Sequence, residues 1–196
     1  MLQFVERAGA HLRGEDQQTW RSHLAAEQDN IRAALRWMLD SNQLDMASRL
    51  HVGLLMFWWI QGYTSEARRW ADELLTQVDS LEPPAAARAQ LSGGLAAAWE
   101  GDYPRAIPLL QKATAQFREL GDVRGAGVAQ MALAYVQPAP ADTESLLLES
   151  AADPYQSGDL WAVNIALQSR ADVALASGHP ERARELYEDG LQLAES

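Results

Sequence analysis

The residues best able to do chemistry in this chain are four histidines, His11, His23, His51 and His179, set among 27 acidic side chains. Imidazoles with carboxylates could hold a zinc ion or move a proton. The spacing arranges neither. No two histidines stand four apart on one helical face, and the chain has no cysteine to add a thiolate. His179 lies in SGHPERA and reads as a turn or cap residue, whereas His51 falls inside an apolar helix and reads as bordering a groove. Acidic pairs such as Glu15–Asp16 and Glu188–Asp189 lack the DxDxDG spacing of a calcium loop and read as solvated faces. There is no Gly-x-Ser-x-Gly nucleophile elbow, and no Gly-x-x-x-x-Gly-Lys-Ser/Thr loop to cradle a phosphate. The expectation is a protein that is not an enzyme, with no catalytic, metal or cofactor site.

Recognition through aromatic faces is the other chemistry on offer. Seven tryptophans are present, and FWWIQGYTSEARRW at 57–70 concentrates three of them. Helical spacing assigns Trp37, Trp58 and Trp70 to packing, because large aromatics carry core burial in helical proteins. Trp59 and Trp99 stand three and two residues before Gly62 and Gly101, and are candidates for a ligand face.

The bulk numbers bound the rest. A chain of 196 residues with 47% apolar content can bury a core as one domain or a short helical array. A formal charge of −11 repels nucleic-acid backbones and anionic membranes, so neither is an expected partner. The opening MLQFVERAGAHLRGEDQQ has no apolar stretch of signal-peptide length, and the run VGLLMFWWI at 52–60 is too short to span a bilayer. The expected location is the cytoplasm.

The elements that must position these residues are helices. Ala, Leu, Glu, Gln and Arg fill long stretches, β-branched alternation is nearly absent, and Gly and Pro punctuate at intervals. In SEARRWADELLTQV, Ala67, Trp70, Ala71, Leu74, Leu75 and Val78 form one stripe. A unit Gly-x-x-x-x-Ala recurs at Gly62/Ala67, Gly101/Ala106 and Gly178/Ala183, with the first two copies 39 residues apart and the last two 77 apart. A degenerate copy near 139–144 would complete the period, with Glu144 in the slot held elsewhere by Ala. Each unit reads as helix, tight turn, helix: the Gly takes a conformation that a β-carbon resists, and the Ala lets the next helix seat closely. Helices are predicted near 2–13, 17–27 and 29–40, then in pairs at 44–61 with 65–79, 84–100 with 103–120, 123–137 with 142–152, and 157–177 with 180–194. The fold class is all-α, an α-solenoid of antiparallel helical hairpins. Residues 1–42 form N-terminal linking helices, and 43–196 form four hairpins at 43–80, 81–120, 121–153 and 154–196.

GDYPRAIPLLQKA, with Gly, an aromatic, Ala, Leu and Ala in order, resembles the second half of a tetratricopeptide repeat, although the period is nearer 39 residues than the usual ~34. WRSHLAAEQDNIRAALRW at 20–37, through Trp20, Leu24, Glu27, Asn30, Arg32, Ala33, Ala34, Leu35 and Trp37, resembles the segment that follows the ATPase and winged-helix region in bacterial STAND-type regulators of the SARP and large LuxR classes. The resemblance implies a right-handed tetratricopeptide-like superhelix acting as a sensor. It would bind a protein, peptide or small-molecule effector, and act on the ATPase and DNA-binding domains of a larger protein. With no phosphate loop and no helix-turn-helix, ATP and DNA binding do not carry over to these residues.

In such hairpins the first helices line a concave face. Setting Ala67 and Ala106 in register then places Arg49, Val52, Met56 and Trp59 there, followed by Arg88, Leu91, Leu95 and Trp99. The third hairpin offers Gln130 and Gln137, the fourth Gln168 and Asp172. Aromatic anchors with Arg and amides suit ligand recognition. The alternatives are a groove filled by neighbouring helices, and a scaffold or self-association module unrelated to transcription. A homodimer through Leu186, Tyr187, Leu191 and Leu193 of the last helix belongs to that second reading.

Overall fold

The computed structural model describes residues 1–12, 16–136 and 160–195, which are helical with short connections and no strand. The helices are α1 (Leu2–His11), α2 (Gln17–Ala26), α3 (Gln28–Asp40), α4 (Leu44–Gln61), α5 (Thr64–Leu75), α6 (Pro83–Trp99), α7 (Tyr103–Glu119), α8 (Val123–Val136), α9 (Leu160–Ala176) and α10 (Pro180–Glu195). Two compact units are present, Met1–Leu109 and Leu110–Ser196, with the boundary inside α7. The helix expected at 142–152, Glu144 within it, and Gln137 lie outside the described residues.

Tight elbows repeat with nearly constant geometry. Asn42, Gly62, Gly101, Gly121 and Gly178 all take left-handed backbone angles, with φ of 56°, 73°, 76°, 70° and 78°. At Gly62 the N–H of Tyr63 bonds the Trp58 carbonyl at 2.8 Å, and that of Gly62 bonds Trp59 at 3.2 Å. This is the Schellman arrangement, which satisfies carbonyls that a helix end leaves open. The Tyr63 carbonyl then accepts from the N–H of Ala67 at 3.0 Å, so one residue closes α4 and opens α5. The same bonds recur through Gln43, Asp102, Asp122 and His179, each to an alanine five residues beyond the left-handed position. Those alanines, Ala47, Ala67, Ala106, Ala126 and Ala183, are all buried. The Gly-x-x-x-x-Ala unit therefore also occurs at the Gly121 elbow, and with Asn in place of Gly at the Asn42 elbow; these join one predicted hairpin or linking helix to the next. The α5–α6 connection is built otherwise, from a 3-10 turn at Val78–Ser80 and Pro83 and Pro84 in the first turn of α6.

The first unit has one core. Val5 of α1, Leu12 just beyond its end, Leu24 of α2, Leu35 of α3, Leu50, Leu54, Phe57 and Trp58 of α4, Leu74 of α5 and Ala89 of α6 belong to it. The N-terminal helices thus share their interior with α4–α6, α1 packing on α4 and α3 on α4. Small residues set how close the helices come. A β-carbon on Gly53 would meet Val5 Cγ1 at 2.8 Å, and one on Gly93 would meet Leu75 Cδ1 at 2.5 Å. Glycine inside a helix costs about 1 kcal/mol against alanine, and here it permits the α1–α4 and α5–α6 approaches. α6 is buried on most of its circumference through Ala85, Ala86, Ala87, Ala89, Leu91 and Ala96–Ala98, as a helix enclosed by neighbours must be. In the second unit, Val163, Leu167 and Ala171 of α9 pack on Ala183 and Leu186 of α10.

Arginine–carboxylate pairs tie the first unit's helices externally. Arg32 of α3 grips Glu66 of α5 through two bonds of 2.7 and 2.6 Å. Arg36 reaches Glu73 at 2.7 Å, and Arg68 reaches Asp102 at 2.7 Å and Glu100 at 3.0 Å. Arg105 pairs with Asp72. The Arg32 fork, more than the burial that opposes it, holds the Glu66 carboxyl below its ordinary pKa.

Two substitutions separate the roles at an elbow. Gly101→Ala is expected to cost about 1 kcal/mol, the price of a β-carbon in the left-handed region. Ala106→Leu is expected to cost about 1–3 kcal/mol by overpacking. Asn42→Gly should change stability by only a few tenths. Urea denaturation of the three variants measures all of this, and equal losses at Gly101 and Asn42 would contradict the elbow assignment.

Candidate functional site

The outward stripe of α4 carries Asp45, Arg49, Val52, Met56 and Trp59, at the spacing that keeps side chains on one face. Trp59 is 51% exposed, an unusual state for so large an apolar surface. Val52 and Met56 are half-buried, and Met56 packs on the core of the first unit. From α6, Leu95 and Trp99 are half-buried, Trp99 also against that core. Leu91 corrects the expectation of a lining residue. It is 4% exposed, because α6 turns that side toward packed neighbours.

The two arginines of this face are already paired. Arg49 donates to Glu6 Oε1 of α1 at 3.0 and 2.6 Å and lies 3.8 Å from Asp45. Arg88 donates to Ser48 Oγ at 3.0 Å and pairs with Asp45. The result is a chain of charge running from α1 across α4 to α6, in which carboxylates neutralise the guanidinium groups. An anionic ligand would have to displace these partners, so the recognition this face can offer is chiefly apolar and aromatic.

A recess of about 600 Å³ opens beside the stripe, between α1, α3 and α4. Leu2, Ala34, Trp37, Met38, Met46 and Arg49 are among its walls. Helical spacing assigns Trp37 to packing, but it is 58% exposed. Ile31, Leu35, Met38 and Leu39 turn α3 toward the core, and Trp37 falls on the opposite side. Helical spacing against that stripe was the signal that could have placed it. Met46 and Met38 add flexible, polarisable walls of the kind that adapt to varied apolar surfaces.

In the second unit, Gln130 is nearly buried, and Gln168 and Asp172 are exposed. Asp172 accepts a hydrogen bond from the Tyr187 hydroxyl of α10, which raises the tyrosine's pKa. Among the residues singled out, then, the structure gathers Arg49, Val52, Met56 and Trp59 on one helix face and links Arg88 to it through Asp45 and Ser48.

His51 also departs from expectation. It does not border a groove; it is fully buried, with Nε2 donating to the Ala67 carbonyl at 2.9 Å and the ring edge against Trp58 at 4.8 Å. It thereby ties α4 to the first turn of α5. Its Nδ1 has no hydrogen-bond partner among the described residues. Burial disfavours the imidazolium and pushes the pKa down to about 4, outweighing the carbonyl contact. Trp58 and Trp70 are core residues as their spacing implies, Trp70 lying under Arg36 and Arg69 at 5.0 and 5.2 Å.

No family model matches the chain, and no curated protein matches it. Among the described residues no helix is long and apolar enough to cross a membrane, and no cluster of His, Asp and Glu is arranged to hold a metal ion.

His51 makes stability depend on pH with a definite sign. Its folded pKa is about 4 against 6.5 when unfolded, so the unfolded chain binds the extra proton between those values. Its contribution is present above pH 6.5 and is lost as the pH falls toward 4, by about 3 kcal/mol in all. His51→Gln keeps a donor for Ala67 but cannot titrate. The difference in unfolding free energy between wild type and H51Q should shrink or reverse in favour of H51Q across this window. A constant difference would contradict the assignment.

Proposed function

We propose that this chain is a non-catalytic sensor domain, a tetratricopeptide-like array of helical hairpins that binds a protein, peptide or small-molecule effector. The observation that carries the reading is the outward stripe of α4, with Trp59 exposed near one end, a methionine-lined recess beside Arg49 nearer the other, and its arginines already neutralised. Such a surface binds by burying aromatic and aliphatic groups around a few anchors. The recurring elbows support a solenoid of hairpins, since each hairpin leaves a face for the next to cover. The sequence resemblance at 20–37 supports placement in a bacterial regulator, where effector binding would shift the domain between two curvatures and so restrain or release a linked ATPase. The proposal does not involve direct contact with nucleic acid or membrane.

The test starts from peptides selected for binding to the whole chain. Trp59→Ala should weaken the selected binders about tenfold or more, as loss of a central aromatic anchor does. Lys112→Ala, remote in sequence from the stripe, should leave them unchanged. Binders equally tight to W59A and wild type would sink the assignment of this face. In a longer protein that carries the ATPase, the same substitution should blunt the response of ATP hydrolysis to effector.

A further inference from the structure

The outer face of α10 has a pattern that matches itself. Pro180, Tyr187 and Leu191 form an apolar strip along α10 beside the buried Ala183, and Leu175 of α9 extends it. Leu175 is 54% and Leu191 60% exposed, and together these residues border a recess of about 350 Å³. Arg184 and Glu188, one helical turn apart, flank the strip along one edge. At about 100° per residue, Glu185 and Asp189 point away from the strip, whereas Glu181 shares the direction of Glu188, so the edge of the strip carries Arg184 between two carboxylates.

We infer that this face is a two-fold interface with a second copy of the chain, α10 packed antiparallel on its counterpart. Antiparallel pairing centred near Leu186 sets Arg184 of each copy opposite Glu188 of the other, twice, and brings the two Tyr187 rings and the flanking leucines together. A two-fold contact requires this self-complementarity. Little is given up to form it. Within one copy Arg184 lies 2.7 Å from Glu181 and 3.9 Å from Glu188, but all three side chains are largely in solvent, where such pairs contribute little. The strip is one helix wide, so the association is of the weak, concentration-dependent kind. This inference is independent of the effector face on α4.

Charge exchange tests it. Sedimentation equilibrium of the whole chain from micromolar to millimolar concentration should show the mass rising from 21.6 kDa toward twice that value. Arg184→Glu alone and Glu188→Arg alone should each raise the dissociation constant about tenfold or more, because like charges then face each other twice. An equimolar mixture of R184E with E188R should regain dimer, since every facing pair in the mixed species is opposite in sign. A wild-type mass that stays monomeric throughout would overturn the proposal and leave this face to a different partner. A dimer indifferent to both reversals, or single variants that fail to complement each other, would overturn it as well.

Discussion

The two-residue elbow is the constraint on which the packing rests. A left-handed residue ends one helix, and the residue after it serves both that helix and the next, donating to a carbonyl four residues behind the left-handed position and accepting from an alanine five residues ahead of it. Because so few residues separate the helices, their axes must come close. Closeness is possible only where the first turn of the new helix presents a methyl group or less. Ala67 shows how far the consequences reach. Its buried position brings its carbonyl to the ring of His51, and that contact fixes a neutral histidine in the interior of the first unit.

Charge is largely spent on holding the helices to one another. Arg32, Arg36 and Arg105 meet carboxylates from other helices of the first unit, Arg68 meets those of the α6–α7 connection, and Arg49 and Arg88 are paired along the α4 stripe. Individually these exposed pairs contribute little, but they set the register of adjacent helices. They also decide what is left for recognition. Along the α4 stripe Arg49 and Arg88 are occupied by carboxylates, while Trp59 is left exposed. Trp59 of α4, Trp37 of α3 and Leu191 of α10 are among the large apolar side chains exposed to solvent.

Much of the helical architecture was legible in the residues. Helix bounds followed from the composition and breakers, and the elbows at Gly62, Gly101 and Gly178 followed from a glycine with an alanine five residues on. The elbows at Asn42 and Gly121 obey the same rule but lie off the 39-residue period. Asn42 reaches the left-handed region without being glycine, and GDVRGA at 121–126 falls between the expected copies. The candidate site was less legible. The hairpin register places Trp59 and Val52 outward on α4, whereas Leu91, which takes the Val52 position on α6, is buried.

The sequence by itself determined the secondary structure, the position of several turns, and the absence of the common catalytic and phosphate-binding motifs, because these depend on contacts within a few residues. Only the tertiary structure decided which side of each helix is covered. Arg49 finds Glu6, Arg88 finds Asp45, and His51 finds the Ala67 carbonyl across helix interfaces. A rotation of one residue turns a helix face by about 100°, so whether Trp37, Leu91 or His51 meets solvent depends on neighbours that local spacing does not specify.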